Sequence, residues 1–248
     1  MAALTLPSEL EYEIFALAYQ NEESHPVNLL LVAKRVHDWL IPRIYEVVLF
    51  RTYVTRPRSA SSPSTLKMCG HHTRHLLFRI STPPISTIEL LSYCPNVENI
   101  AVWSGYTQSR DLISGPETPL TSLRLKRLSI HVAALAELDQ ETRGGAESDT
   151  NTGTQIQKHI EVFLSTITHL DIASRVCSKQ ELSALSYCPS LTHLCLFETL
   201  PLETLRWVFD VCAKLEVVVW LEPKLVEIEG IDVSSVAAVV SNRPCKPG

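Results

Sequence analysis

The chain of 248 residues is expected to be an α/β protein: a short N-terminal three-helix module followed by a curved solenoid of parallel strands with helices on its convex side. Three observations predict this. One apolar motif recurs at intervals of roughly 20–29 residues, the range of a one-helix, one-strand repeat. The repeats alternate helix-like and strand-like spacing without hairpin signals, which implies parallel strands. The first fifty residues follow a different, purely helical periodicity.

In that opening segment, Pro7 suits the first turn of a helix, where its missing N–H costs nothing, and Glu9 and Glu11 face the positive end of the helix dipole. Ser8 and Glu11 have the spacing of a capping box. Leu10, Ile14, Leu17 and Ala18 then form one apolar stripe, which the polar run 20–26 ends. A second helix is expected from near Asn28, with Leu29, Val32, Val36 and Trp39 or Leu40 on one face, stopped by Pro42. A short third helix through Ile44 and Tyr45 leads to the start of a strand at Val47–Phe50.

A Pro- and Ser-rich linker is expected over 51–70, and the repeats over 71–248. Leu90-Leu91-Ser92-Tyr93-Cys94-Pro95 with Val97, Ile100 and Val102 matches Leu185-Ser186-Tyr187-Cys188-Pro189 with Leu191, Leu194 and Leu196. Looser copies end at Ile130, Ile172 and Trp220, and a weak first copy has His75, Phe78 and Ile80. Steps between the last apolar positions are 22, 28, 42, 24 and 24 residues. The long step contains the Gly-, Thr- and acid-rich stretch 139–155, which reads as an insertion of about 16 residues and a mobile one. Helices are expected over 85–94, 156–166, 179–188 and 202–212, with strands after each Cys-Pro or its equivalent, and a last helix over 233–240. The nearest architecture is an irregular leucine-rich repeat; the rival is a doubly wound parallel sheet.

Composition excludes several functions. Hydrophobic content of 45% and charged content of 20% are those of an ordinary soluble globular protein. A net charge of −5 argues against nucleic acid as the main partner. No apolar run reaches the roughly 20 residues that span a bilayer, and residues 1–10 lack a secretory pattern. Seven cysteines, an odd number and mostly within apolar runs, fit free thiols in a reducing cytoplasmic or nuclear compartment.

Cys69-Gly70-His71-His72-x-x-His75 is the most metal-like cluster, but no second ligand pair accompanies it, so it reads as a polar loop and no metal or other cofactor is expected. Nucleophile elbow, phosphate loop and dinucleotide fingerprint are all missing, so no catalytic residue is assigned. From Val47 to Ile88 there is no Asp or Glu, while Arg51, Arg56, Arg58, Lys67, Arg74 and Arg79 are present. This window is either a solvated flank or a basic patch for acidic or phosphorylated targets, with Arg51, Arg56 and Arg58 its candidate residues.

The opening run, Leu6-Pro7-Ser8-Glu9-Leu10 and then Leu31-Val32-Ala33-Lys34-Arg35-Val36-His37-Asp38-Trp39-Leu40 leading to Ile44-Tyr45, resembles an F-box, and is similar to F-box-like proteins of mushroom-forming fungi. The resemblance covers residues 1–50. It implies that Leu6, Pro7, Leu10, Ile14, Val32, Val36 and Trp39 pack against a Skp-type adaptor and, through it, a cullin. The chain would then be the non-catalytic substrate-recognition subunit of a ubiquitin ligase, with the repeats receiving a protein target. The alternative is a repeat scaffold or sensor whose helical start is only a cap.

Overall fold

The computed structural model describes residues 6–21, 26–51, 63–79, 87–103, 123–136, 161–174, 178–197, 200–221 and 238–241. The expected insertion 139–155 lies outside them.

Three helices open the chain: α1 (Ser8–Asn21), α2 (Pro26–Leu29) and α3 (Lys34–Ile44). The Glu11 N–H donates to the Pro7 carbonyl at 3.0 Å, so the α1 ladder begins at Pro7. Glu11 does not close a capping box; its carboxylate takes Arg35 from α3 at 2.6 Å. The second helix expected from Asn28 is interrupted. Leu31 and Val32 donate back three residues, to Asn28 and Leu29, at 3.2 Å each. That tight turn ends α2, and Ala33, in extended conformation, starts α3 afresh. Pro42 does not end α3. It removes one donor, but Tyr45 N–H still reaches the Ile41 carbonyl at 3.1 Å, and the helix runs on to Ile44. Ala16, Val36, Leu40 and Tyr45 are buried together within this N-terminal part, apart from the continuous core that begins at Val48.

Among the described residues, eight strands follow in one sheet: β1 (Val47–Arg51), β2 (His75–Arg79), β3 (Asn99–Val102), β4 (Arg127–Ile130), β5 (His169–Ile172), β6 (His193–Leu196), β7 (Val217–Trp220) and β8 (Ala238–Ser241). They lie in chain order, and β1 to β7 pair in parallel. A doubly wound sheet reverses its order at a switch point; this one does not. β8 is antiparallel to β7, so the end of the run expected to be a last helix over 233–240 is strand. Consecutive β-branched residues, Val239 and Val240, favour it.

The register repeats one hydrogen-bond device. The carbonyls of Glu46, Arg74, Glu98, Lys126, Thr168 and Thr192 each accept two N–H groups from the start of the next strand, at 2.8–3.2 Å. This fixes every strand one step along from its neighbour. Val48, Leu76, Ile100, Leu128, Leu170, Leu194 and Val218 fall in one buried row. Phe50, Phe78, Val102, Ile130, Ile172, Leu196 and Trp220 fall in the next. Full burial of each such side chain stabilises by about 1.5–3 kcal/mol.

Connecting segments cover that face. They include α4 (Pro63–Cys69), α5 (Thr87–Tyr93), a 3₁₀ helix at Ser183–Tyr187 and α6 (Leu202–Val211), with helical residues also at 132–136 and 161–165. Leu66, Leu90, Leu185 and Leu205 share the continuous core with the strand rows. The stretch 51–70, expected as linker, is therefore helical over 63–69 and contributes Leu66 to the core. Residues 179–188, expected as a helix, form turns and a 3₁₀ helix. Ser183 and Ser186 hydroxyls donate to the carbonyls three residues back at 2.6 and 2.8 Å and compete with the α ladder. Cys94, Cys188 and Cys212 are buried at equivalent helix-to-strand turns, their thiols pushed upward by desolvation, Cys94 and Cys212 to about 11.

Candidate functional site

Two surfaces are candidates. The first is the outward side of the N-terminal helices. Tyr12 and Ala16 turn α1 toward α3: the Tyr12 ring meets Trp39 edge-on at 5.8 Å, and the Tyr12 hydroxyl accepts from Arg43 Nε and Nη2 at 3.0 and 2.8 Å. That docking leaves the opposite stripe uncovered. Leu6, Pro7, Leu10, Ile14 and Leu17 are all exposed, Leu10 and Ile14 at 54% each. The turn between α2 and α3 adds Leu31, 81% exposed, and Val32. Trp39 is half-buried. Val36 is fully buried, so it holds the module together and is not available to a partner. Leu31, absent from the expected set, is the most exposed of these large apolar residues; only the turn at 30–32 brings it out.

The second surface is the face of the sheet opposite the helices. Its register places Val47, His75, Asn99, Arg127, His169, His193 and Val217 in one row, and Leu49, Leu77, Ala101, Ser129, Asp171, Cys195 and Val219 in the next. β1 to β3 thus present mainly aliphatic residues, β4 to β6 carry Arg127, His169, Asp171 and His193, and β7 presents only valines. Asn99 Nδ2 lies 2.6 Å from His75 Nδ1, and Trp103, exposed beyond β3, donates its indole N–H to Ser129 Oγ at 2.9 Å. Desolvation raises the Asp171 carboxyl, with Arg127 pulling the other way. The phrase Thr-His-Leu, repeated at 168–170 and 192–194, is a signal that sequence reading passed over and that marks this surface.

At the strand starts an open groove of about 820 Å³ is lined by Arg43, Glu46, His72, Arg74, Glu98 and Arg124. Among its charges, Glu98 is paired. Glu98 takes Lys126 at 2.7 Å and Arg74 at 3.8 Å, and its carboxyl is held below its ordinary value first by the Lys126 hydrogen bond. Desolvation, then His71, lowers His72. Cys69, His71, His72 and His75 are spread over the end of α4, a 3₁₀ turn and β2. Among the described residues no three His, Cys, Asp or Glu groups converge on a metal-sized site. Of the expected basic patch, Arg51 ends β1 as the register partner of Arg79, and Arg56 and Arg58 lie outside the described residues. Among the described residues no helix is long and apolar enough to cross a membrane.

No protein-family model matches this chain, and no curated protein matches it.

Proposed function

We propose that this chain is an F-box-type substrate-recognition subunit whose N-terminal helices dock onto a Skp-type adaptor of a cullin-based ubiquitin ligase. The body is then a leucine-rich-repeat-type coil that offers the open face of its sheet to a target protein. The chain performs no bond chemistry of its own; it raises the effective concentration of the target's lysines near the charged ubiquitin enzyme. The observation that carries this reading is the uncovered apolar stripe of α1. A helical cap buries its apolar side against the repeats, whereas this one packs inward through Tyr12 and Ala16 and leaves Leu6, Leu10, Ile14 and Leu17 in water. Uncovered apolar surface of that kind marks an interaction site. Residence in the cytoplasm or nucleus belongs to the same proposal.

The test is a pull-down of the full chain with recombinant Skp-type adaptor, beside Leu10→Asp/Ile14→Asp. Both side chains are more than half exposed, so the double variant should fold with a stability within about 1 kcal/mol of the parent. Adaptor affinity should fall at least tenfold. Retained binding by the variant, or none by the folded parent, removes the ligase reading and leaves a scaffold.

A further inference from the structure

Arg127, His169 and His193 stand side by side as register partners at the first positions of β4, β5 and β6. The two imidazoles are stacked, 4.3 Å between centroids and 6° from parallel. Each Nδ1 lies against the hydroxyl of the preceding threonine, 2.9 Å from Thr168 Oγ1 and 2.8 Å from Thr192 Oγ1. Those hydroxyls already donate to backbone carbonyls, Thr168 to Lys126 at 3.0 Å and Thr192 to Thr168 at 2.9 Å. A hydroxyl has one hydrogen. With that hydrogen on the carbonyl, each threonine accepts from its histidine and Nδ1 carries the ring hydrogen. In the neutral rings both Nε2 atoms are then bare acceptors, and a proton added to either ring goes to Nε2 and makes it a donor.

We propose that this row is an anion-binding site: a carboxylate or phosphoryl group accepts hydrogen bonds from Nε2–H of His169 and His193 beside the Arg127 guanidinium, and each neutral ring takes up a proton from solvent as it binds. That the anion is an acidic or phosphorylated side chain of a target protein rests on the functional reading above; the site itself does not.

The surrounding charges set the sign. His169 is held below its ordinary value by desolvation, then by His193 and Arg127, so the empty site resists charging and an anion relieves that resistance. Lys126 is engaged by Glu98. Asp171, two residues along β5, opposes an anion while ionised, and its raised carboxyl relaxes that opposition as pH falls. The Cys195 thiol, pushed to about 11 by burial and by Asp171, stays neutral. On β7 the register partners Val217 and Val219 carry no charge, and Glu216 precedes them. Binding takes up protons wherever the free rings are neutral, so affinity is greatest at low pH and declines by up to about tenfold per pH unit for each proton taken up.

The experiment is NMR of the histidine ring nitrogens in the full chain. It uses sodium sulfate as the phosphoryl probe and sodium acetate as the carboxylate probe, because both keep their charge between about pH 6 and 8. Without anion at pH 8, His169 and His193 should both show the Nδ1–H tautomer. One or both salts should shift both rings, with an apparent Kd that rises with pH above about 6.5, by up to about tenfold per unit for each proton taken up, and the tighter salt tells which source the site prefers. Arg127→Gln should weaken that binding at every pH, and in the single variants His169→Gln and His193→Gln the remaining ring should report weaker binding with a shallower pH dependence. An Nε2–H tautomer, binding indifferent to pH, or no shift at either ring with either salt overturns the proposal. Because adaptor docking uses α1, the pull-down outcome is independent of this one.

Discussion

Gly70 sits where the chain has no room for a side chain. A Cβ built there would stand 2.4 Å from the Tyr93 carbonyl oxygen and 3.1 Å from Cys94 Sγ, at the turn that joins α5 to β3. A backbone carbonyl cannot swing aside as a long side chain can, so Gly70→Ala should destabilise the fold by about 1–3 kcal/mol through overpacking. Urea unfolding reads the difference, and an unchanged midpoint would show that the two turns are not packed as described. The sequence displayed Gly70 only as a member of a Cys- and His-rich phrase. Its role depends on a contact with residues over twenty positions away, which no local pattern carries. The same limit appears at Val32 and Val36. Helical spacing puts them on one face, yet the structure exposes the first and buries the second, because the backbone bonds from Leu31 and Val32 break the helix between them.

At the scale of elements, strands were far more legible than helices. The apolar pair at each strand recurs because two rows must meet one core, and that demand repeats whatever the connection does. From Phe78 to Val102, and from Ile172 to Leu196 to Trp220, the register repeats every 24 residues. The weak first copy is expected to end at Ile80, but Phe78 is the register partner of Val102, and Val47–Phe50 proves to be a further copy. Helical spacing, by contrast, cannot separate an α helix from the 3₁₀ turn at Ser183–Tyr187, where serine hydroxyls take the carbonyls. Alternation within a strand makes a sharp prediction. Leu170→Ala, in the buried row of β5, should cost about 2–5 kcal/mol by opening a cavity. Asp171→Asn, exposed on the open face of the same strand, should raise the melting temperature at pH 7 only slightly, because solvent screens most of the charge. The native carboxyl is raised above its unfolded value, so the ionised form disfavours the native state at neutral pH, and that penalty disappears below the unfolded pKa near 4. Paired thermal melts at pH 7 and pH 3.5 check both. A gain from the asparagine that persists unchanged at pH 3.5 would assign it to something other than this charge.

Across the whole molecule, burial falls into two parts that meet at the start of β1. Ala16, Val36, Leu40 and Tyr45 close the helical part, while a continuous core runs from Val48 to Trp220 through strands that each contact only their neighbours. In such an array stability is a sum of local interfaces, so a partner gripping one end stabilises what it touches and little beyond. A ligand at 100 times its Kd adds about 2.7 kcal/mol to the unit it binds. Hydrogen exchange on the full chain, with and without saturating adaptor, should therefore slow the amides of α1, the turn at 30–33 and α3 by up to about a hundredfold, while β5, β6 and β7 exchange at unchanged rates. Slowing that extends evenly to β7 would mean that helices and sheet open as one unit, and that the sheet senses adaptor docking. Slowing confined to the sheet would move the docking surface off α1 altogether and reverse the roles proposed for the two surfaces.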